Sequence, residues 1–211
     1  MAILLISLRK NNMSLLFIFE IVGTIAFAIS GAIVAIKNEM DIFGVVMLGL
    51  TTAVGGGILR DITLGNVPPT VFSNYIFIIV AIIVSLIVFI PKVREYIIKL
   101  DALVQVMDAI GLAIFTVIGV EASLSYNNLL LSLFCGTLTG VGGGVVRDIF
   151  ARTKLYVFTK HFYACASLIG ALLSFYLFRI SENLAIIVGF IMIFSLRMIA
   201  WKYKWNLPKA K

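Results

Sequence analysis

Seven long apolar stretches run along the chain, each bounded by charged residues, proline or asparagine. A helix that crosses a bilayer needs about 20 predominantly apolar residues at a rise of about 1.5 Å per residue. The stretches are therefore predicted to be seven transmembrane helices joined by short connections. They cover residues 14–36, 42–59, 71–90, 103–122, 129–146, 162–178 and 183–200.

The composition agrees with this pattern. Apolar residues make up 62% of the 211 residues and charged residues 13%, and the mean hydropathy is +1.12. A soluble domain carries about 25% charged residues because its surface needs them. The chain is therefore predicted to be an all-α polytopic membrane protein, with residues 1–211 forming a single membrane domain.

The first stretch has a competing interpretation as a signal peptide. Arg9 and Lys10 precede an apolar run, and Ala26-Phe27-Ala28 resembles a small-x-small cleavage site. Glu20 would lie inside that apolar run, and a second copy of the segment occurs later in the chain. Both observations favour a transmembrane helix.

Positive charge is distributed unequally between the two sides of the predicted bundle. All but four of the 17 Lys and Arg residues fall on one side, which the positive-inside rule assigns to the cytoplasm. This predicts a cell-membrane protein with its N-terminus outside and its C-terminus in the cytoplasm. The net charge of +7 fits contact with anionic lipid and requires no nucleic acid. The four exceptions are Arg9, Lys10, Arg60 and Arg179.

The chain contains an internal repeat. Residues 49–62 and 136–149 are identical at nine of 14 positions at an offset of 87, and the preceding helices match at an offset of 88. Each unit holds three spans, so the second copy must enter the membrane from the opposite side, as in many transporters. We predict inverted repeats over 14–92 and 102–180, plus a seventh helix over 183–203. The matched pairs in the preceding helices are Glu20 with Asp108, Gly23 with Gly111, Phe27 with Phe115 and Gly31 with Gly119.

Each repeat carries a glycine triplet inside its second helix. Three glycines cost a helix about 3 kcal/mol relative to alanine. The triplets are therefore predicted to break both helices and to free carbonyl oxygens that suit a cation, with a threonine hydroxyl one turn earlier. The alternative is close helix packing, which is favoured for Gly23, Gly31, Gly111 and Gly119. The predicted pathway residues are Gly55, Gly56, Gly57, Thr52, Gly142, Gly143, Gly144 and Thr139.

Six ionisable residues lie at or near membrane depth in matching positions. A charge at the bilayer centre costs about 2.5–3.5 kcal/mol on insertion scales, so such groups are expected to pair or to serve a function. They are predicted to form a gating or charge network between the repeats. The alternative is a static set of salt bridges that clamps the helices. The residues are Glu20, Arg60, Asp61, Asp108, Arg147 and Asp148.

Enzymatic chemistry is not indicated. Residues 140–145 resemble a dinucleotide-binding fingerprint, but Val145 replaces its third glycine and no soluble βαβ unit surrounds it. His161 is the single histidine and lies at a basic membrane edge, and Cys135 and Cys165 match no metal spacing. We expect no catalytic residues, no metal and no cofactor.

The two Gly-Gly-Gly-x-x-Arg-Asp motifs, one in each predicted repeat, resemble those of the trimeric intracellular cation channel family. The match is to its prokaryotic branch, also known as a glycine-transporter-like family. The resemblance implies a homotrimer with one pore per protomer, which conducts K⁺ through helices kinked at the triplets. Two alternatives stay open: a secondary transporter of a small zwitterion such as glycine, and a structural protein without transport activity.

Overall fold

The computed structural model describes residues 2–98, 101–155 and 162–205. This part of the chain is helical, with short 3₁₀ turns at Thr70–Phe72 and Leu124–Tyr126. Its α-helices are α1 (Ala2–Lys37), α2 (Ile42–Thr63), α3 (Ile76–Phe89), α4 (Pro91–Ile98), α5 (Asp101–Ser123), α6 (Leu129–Phe150), α7 (Tyr163–Phe178) and α8 (Glu182–Lys202). The predicted all-α class is confirmed.

Five segments are long and apolar enough to cross a membrane: Leu15–Lys37, Ile42–Thr63, Ala102–Tyr126, Leu129–Phe150 and Glu182–Lys202. The other two predicted spans are shorter helices, because α3 has 14 residues and α7 has 16. Helix α3 starts five residues later than predicted, because Thr70–Phe72 form a 3₁₀ turn whose first residue donates its backbone N–H and its hydroxyl to Asp61. Helix α4 was not predicted, and Pro91 at its first position favours a helix start there.

Matching residues begin the two motif helices. The side chain of Asp41 accepts a hydrogen bond from the backbone N–H of Gly44 at 2.7 Å and so caps α2. Asn128, at an offset of 87, caps α6 by accepting from the N–H of Leu131 at 3.1 Å. Each cap satisfies a backbone donor that the first helical turn leaves open. The repeat therefore extends to the helix ends.

The two matched first helices, α1 and α5, pack antiparallel. A Cβ atom added at Gly23 would lie 2.8 Å from Cγ2 of Ile114, while one added at Gly111 would meet the ring of Phe27. The later residue on α1 thus contacts the earlier residue on α5, as expected for antiparallel helices. Between these contacts the rings of Phe27 and Phe115 stack with centroids 5.3 Å apart. These two rings occupy matching positions and lie at the centre of the core.

The packing role predicted for the four glycines of α1 and α5 is confirmed. At each of them an added Cβ would lie within 3 Å of an atom of a neighbouring helix. Gly31 faces the carbonyl oxygen of Leu48 on α2, and Gly119 faces that of Cys135 on α6. Small residues here allow neighbouring backbones to approach closely, which is how helices associate without a hydrophobic driving force.

The seventh predicted span, α8, packs on the second predicted repeat. Its Gly189 faces Ser174 of α7 and Val117 of α5. Ile186 and Ile193 of α8 are fully buried in a cluster with Leu112 of α5. His161, considered in the sequence, lies outside the described residues.

Replacing Asp41 with alanine is expected to lower the free energy of unfolding by about 1 kcal/mol, because the Gly44 N–H loses its partner. Asp41→Ser keeps a capping oxygen and should stay close to the parent. Thermal unfolding of the purified protein in detergent measures both variants. Equal losses for alanine and serine would contradict the capping role.

Candidate functional site

Helices α2 and α6 cross at the middle glycine of each triplet. A Cβ added at Gly56 would strike the carbonyl oxygen of Thr139, and one added at Gly143 would strike that of Thr52. These contacts are reciprocal, since each glycine of one helix meets the matching threonine carbonyl of the other. The crossing is therefore antiparallel, and its central contact is between backbone atoms. At Gly56 and Gly143 there is no room for a side chain larger than a hydrogen atom.

The predicted break in these helices is wrong. Helix α2 runs without interruption over Ile42–Thr63 and α6 over Leu129–Phe150, so both triplets are α-helical. The physical reason is the crossing itself. Glycine lowers the stability of an isolated helix, but here it lets two backbones touch, and this close packing offsets the lost helical preference.

The threonines one turn before the triplets are fully buried. Thr52 donates its hydroxyl hydrogen to the carbonyl of Leu48 at 2.5 Å, and Thr139 donates to that of Cys135 at 2.5 Å. Both hydroxyls thus bond within their own helices in this conformation. Their part in an ion pathway stays a prediction.

The outer members of the triplets have different surroundings. Gly55 faces Val146 across the crossing, and Gly142 faces Leu59. A Cβ added at Gly57, by contrast, would find nothing within 4 Å. Gly57 instead opens onto a cavity. The triplet on α2 therefore has a packed side and an open side.

The cavity has a volume of about 150 Å³ and lies between α1, α2 and the segment that leads into α3. This is enough space for several water molecules. Oxygen-bearing side chains line much of it, and the ring of Phe115 also contributes to its wall. The polar and charged lining residues are Glu20, Thr24, Arg60, Asp61, Thr70 and Asn74.

Three charged residues at this cavity, Glu20, Arg60 and Asp61, form what we call the mouth cluster. Nε of Arg60 donates to Oδ1 of Asp61 at 2.8 Å, and a terminal guanidinium nitrogen lies 2.7 Å from the same oxygen. The second oxygen of Asp61 accepts from the backbone N–H and the hydroxyl of Thr70 at 2.8 and 2.6 Å. Two carboxylates and one guanidinium give this cluster a formal charge of −1.

The matching residues of the second predicted repeat, Asp108, Arg147 and Asp148, form together with Ser30 of α1 what we call the sealed cluster. Arg147 lies 2.6 Å from Oδ1 of Asp108 and 2.9 Å from Oδ1 of Asp148. It also donates to the hydroxyl of Ser30 of α1 at 2.6 Å. Every member is less than 5% exposed. The ion pairs of the described residues thus form two groups at opposite ends of the crossing, one within each predicted repeat, and a gating or charge network between the repeats stays a prediction.

The two clusters differ in their access to solvent. Glu20 lies on the open cavity, whereas its counterpart Asp108 is buried in a salt bridge. The stacked rings of Phe27 and Phe115 and the crossing of α2 and α6 lie between the two ends. Among the described residues, the mouth cluster therefore borders a cavity, whereas the sealed cluster is buried.

Several residues of these sites were not singled out in the sequence, among them Thr70, Ser30, Tyr163 and Arg197. The residues at the matching offsets from Thr70 and Ser30 are Val157 and Ile118, so the internal match gave no signal for them. Tyr163 lies beside the sealed cluster and Arg197 beside Tyr163. Arg197 carried a usable signal, because it is a charged residue inside an apolar span.

Comparison with known proteins shows the family. A family model described as glycine transporter matches residues 17–92 and 105–179. The UPF0126 inner membrane protein YadS of Escherichia coli K12 is 35% identical over 198 residues, which cover 92% of this chain and 95% of the relative. One solved structure, described under the structural basis for conductance through TRIC cation channels, is 40% identical in sequence to this chain and has a TM-score of 0.83. The match covers 92% of this chain and 96% of the other.

The chain belongs to the trimeric intracellular cation (TRIC) channel family. A prokaryotic TRIC channel crystallised in 0.5 M KCl has a TM-score of 0.86 at 31% identity and covers 92% of this chain and all of the other. The family resemblance drawn from the paired glycine motifs is confirmed, and the chain is a multi-pass membrane protein. The two segments matched by the family model lie inside the two repeats predicted for this TRIC protein.

Glycine-to-alanine substitutions in the α2 triplet of this TRIC family member should have opposite effects. Gly57→Ala meets open space and should raise the free energy of unfolding by up to about 1 kcal/mol through helix preference. Gly56→Ala meets the Thr139 carbonyl and should lower it by about 1–3 kcal/mol. Thermal unfolding in detergent tests the pair, and equal effects would contradict the backbone crossing.

Proposed function

We propose that this protein is a cation channel that conducts K⁺ through a pathway within each protomer. The observation that supports this most directly is the pair of matched charge clusters on either side of the α2 and α6 crossing. The cluster that meets water has an excess of carboxylate. Family membership supports the same function, since the related structures are of TRIC cation channels.

The mouth cluster attracts cations. Glu20 supplies a carboxylate on the cavity, while Asp61 and Arg60 balance one another through their salt bridge. In a cavity with low-dielectric walls, an unbalanced charge raises the local concentration of counter-ions. Thr24 and Asn74 add neutral oxygens to the lining. Oxygen ligands of this kind replace part of the hydration shell of an entering ion.

The conformation seen here is the closed one in this proposal. The Thr139 carbonyl touches Gly56 and the Thr52 carbonyl touches Gly143, so no ion passes the crossing. Conduction requires α2 and α6 to move apart, which exposes these two carbonyl oxygens. The central contact consists of glycine and backbone, and the flanking contacts of Val146 with Gly55 and of Leu59 with Gly142 separate with it. The separation also has to open the sealed cluster around Arg147.

We propose seven transmembrane spans arranged as two inverted repeats over 14–92 and 102–180, followed by the helix over 183–203. The antiparallel register of α1 with α5 and the reciprocal contacts of α2 with α6 support inversion. A hydrogen bond from Tyr126, after α5, to the Leu64 carbonyl, after α2, brings the ends of these two helices to one side.

The proposed assembly is a homotrimer in the cell membrane with the N-terminus outside and the C-terminus in the cytoplasm. The trimer is supported by the family, whose Rhodobacter sphaeroides member is described as a trimeric intracellular cation channel orthologue. The orientation is supported by the distribution of Lys and Arg. The E. coli relative is an inner membrane protein.

A second candidate is secondary transport of a small zwitterion such as glycine. The description of the family model favours it, and the cavity offers a carboxylate at Glu20 and a guanidinium at Arg60. Purified protein in planar bilayers separates the two functions. A channel gives unitary K⁺ currents that scale with voltage. Saturable glycine uptake into vesicles without unitary currents would contradict the channel and support the transporter.

Glu20→Gln is expected to lower the unitary K⁺ conductance several-fold at 0.1 M KCl, because the mouth loses its excess negative charge. The loss should shrink at 1 M KCl, where the Debye length falls from about 10 Å to about 3 Å. Single-channel recording at the two salt concentrations measures this. Glu95→Gln on α4, an exposed carboxylate away from the cavity, is the control. A loss that is independent of salt would count against the electrostatic role.

A further inference from the structure

Arg197 is a buried cation in the predicted seventh span. It lies near the C-terminal end of α8 and is 2% exposed. A charge in this setting is expensive, so its surroundings must compensate it. Helix α8 lies outside both predicted repeats, and Arg197 therefore has no counterpart beside the mouth cluster.

Two contacts of the Arg197 side chain bear on the sealed cluster. Its guanidinium carbon lies 4.7 Å from the centroid of the Tyr163 ring, a cation–π contact. One terminal nitrogen donates to Oε1 of Gln105 at 3.2 Å. Gln105 precedes Asp108 by three residues on α5, and residues with this spacing lie on the same helix face. Both contacts thus point from Arg197 toward the sealed cluster.

Tyr163 connects Arg197 to that cluster. A Cβ added at Gly144 would lie 3.2 Å from the Tyr163 hydroxyl, 3.6 Å from Oδ1 of Asp108 and 3.7 Å from a terminal nitrogen of Arg147. The three polar atoms thus converge on the last glycine of the α6 triplet. The ring of Tyr163 faces Arg197 while its hydroxyl faces the salt bridge.

The charge of the sealed cluster shows what Arg197 contributes. Asp108, Asp148 and Arg147 carry a formal charge of −1, the same as the mouth cluster. The members of the two clusters therefore carry equal formal charge, and Arg197 adds a positive charge beside the buried cluster. In a low-dielectric interior, a charge acts over more than one contact distance.

We propose that Arg197 is a positioning residue for the sealed cluster. Its positive charge, held on the Tyr163 ring, balances the excess carboxylate and keeps Arg147 against Asp108 and Ser30. Without it, the cluster is left with net negative charge and takes up water and cations, which opens that end. This inference rests on the proposed channel function only where ionic current is measured.

Thiol labelling tests the seal without any ion flow. Ser30→Cys, in a background with Cys135→Ala and Cys165→Ala, places the reporter inside the cluster. In detergent, Arg197→Met should raise the rate of labelling by a water-soluble maleimide about tenfold, which corresponds to ~1.4 kcal/mol. An unchanged rate in a folded variant would overturn the proposal.

Arg179→Met is the matched control. Its guanidinium lies 4.9 Å from the centroid of the Phe175 ring, but the side chain is exposed and distant from the sealed cluster. Arg179→Met, like Arg197→Met, removes a guanidinium from a cation–π contact, and it should leave the labelling rate unchanged. Equal acceleration by both variants would indicate general loosening and overturn the proposal.

Further variants separate charge from packing. Arg197→Lys keeps the charge and should stay near the parent rate, whereas Tyr163→Leu removes the ring and should behave like Arg197→Met. Asp148→Asn in the Arg197→Met background removes one negative charge and should slow labelling again. If the lysine variant labels as fast as the methionine variant, or Asp148→Asn gives no rescue, charge balance is refuted. If Arg197→Met folds poorly, the comparison of Arg197→Lys and Tyr163→Leu with the parent still tests the proposal, and equal labelling rates in all three would overturn it.

Single-channel recording then separates the two proposals. Arg197→Met should raise the ratio of open to closed time about tenfold with unchanged unitary conductance. Faster labelling with no current in any variant, the parent included, would support the seal and reject the channel. If the parent gives normal currents but Arg197→Met changes neither the labelling rate nor the open time, the role of Arg197 is rejected and the channel proposal stands.

Discussion

Two polypeptide backbones touch at the centre of this protein, and the remaining architecture is built around that contact. Gly56 and Gly143 bring α2 and α6 so close that each helix presents a threonine carbonyl to the other. Such an approach excludes every side chain larger than hydrogen at two positions. It also fixes the antiparallel register, because the contacts are reciprocal. The charged residues one turn further along each helix then fall at opposite ends of the crossing.

The two ends show how one motif serves two environments. Arg60–Asp61 and Arg147–Asp148 form the same local salt bridge. The first is completed by Thr70 of a loop and lies next to a cavity, while the second is completed by Asp108 and Ser30 of packed helices. A buried ion pair is stable only when its remaining hydrogen-bonding groups are satisfied. Neighbouring elements, more than the motif, decide which end is open.

Sequence patterns predicted the class, the family and the paired positions, because hydrophobic length and internal repetition are read directly from the residues. They failed at Gly55–Gly57 and Gly142–Gly144, where helix preference argued for a break. Preference is a local quantity, whereas the crossing joins residues that are 83 and 91 positions apart in sequence. Ser30 and Tyr163 escaped notice for the same reason. Their importance depends on which helix faces them, and no local pattern encodes that.

The third helices of the two predicted repeats are both short. Helices α3 and α7, with 14 and 16 residues, are about 21 and 24 Å long, less than the roughly 30 Å of a hydrocarbon core. Their outer faces carry exposed isoleucine and leucine side chains. A hydrophobic helix shorter than the hydrocarbon core costs energy, through thinning of the bilayer or exposure of flanking groups, and this cost grows with the mismatch. The length of the lipid acyl chains therefore acts on this protein through α3 and α7, the two short helices among its predicted spans.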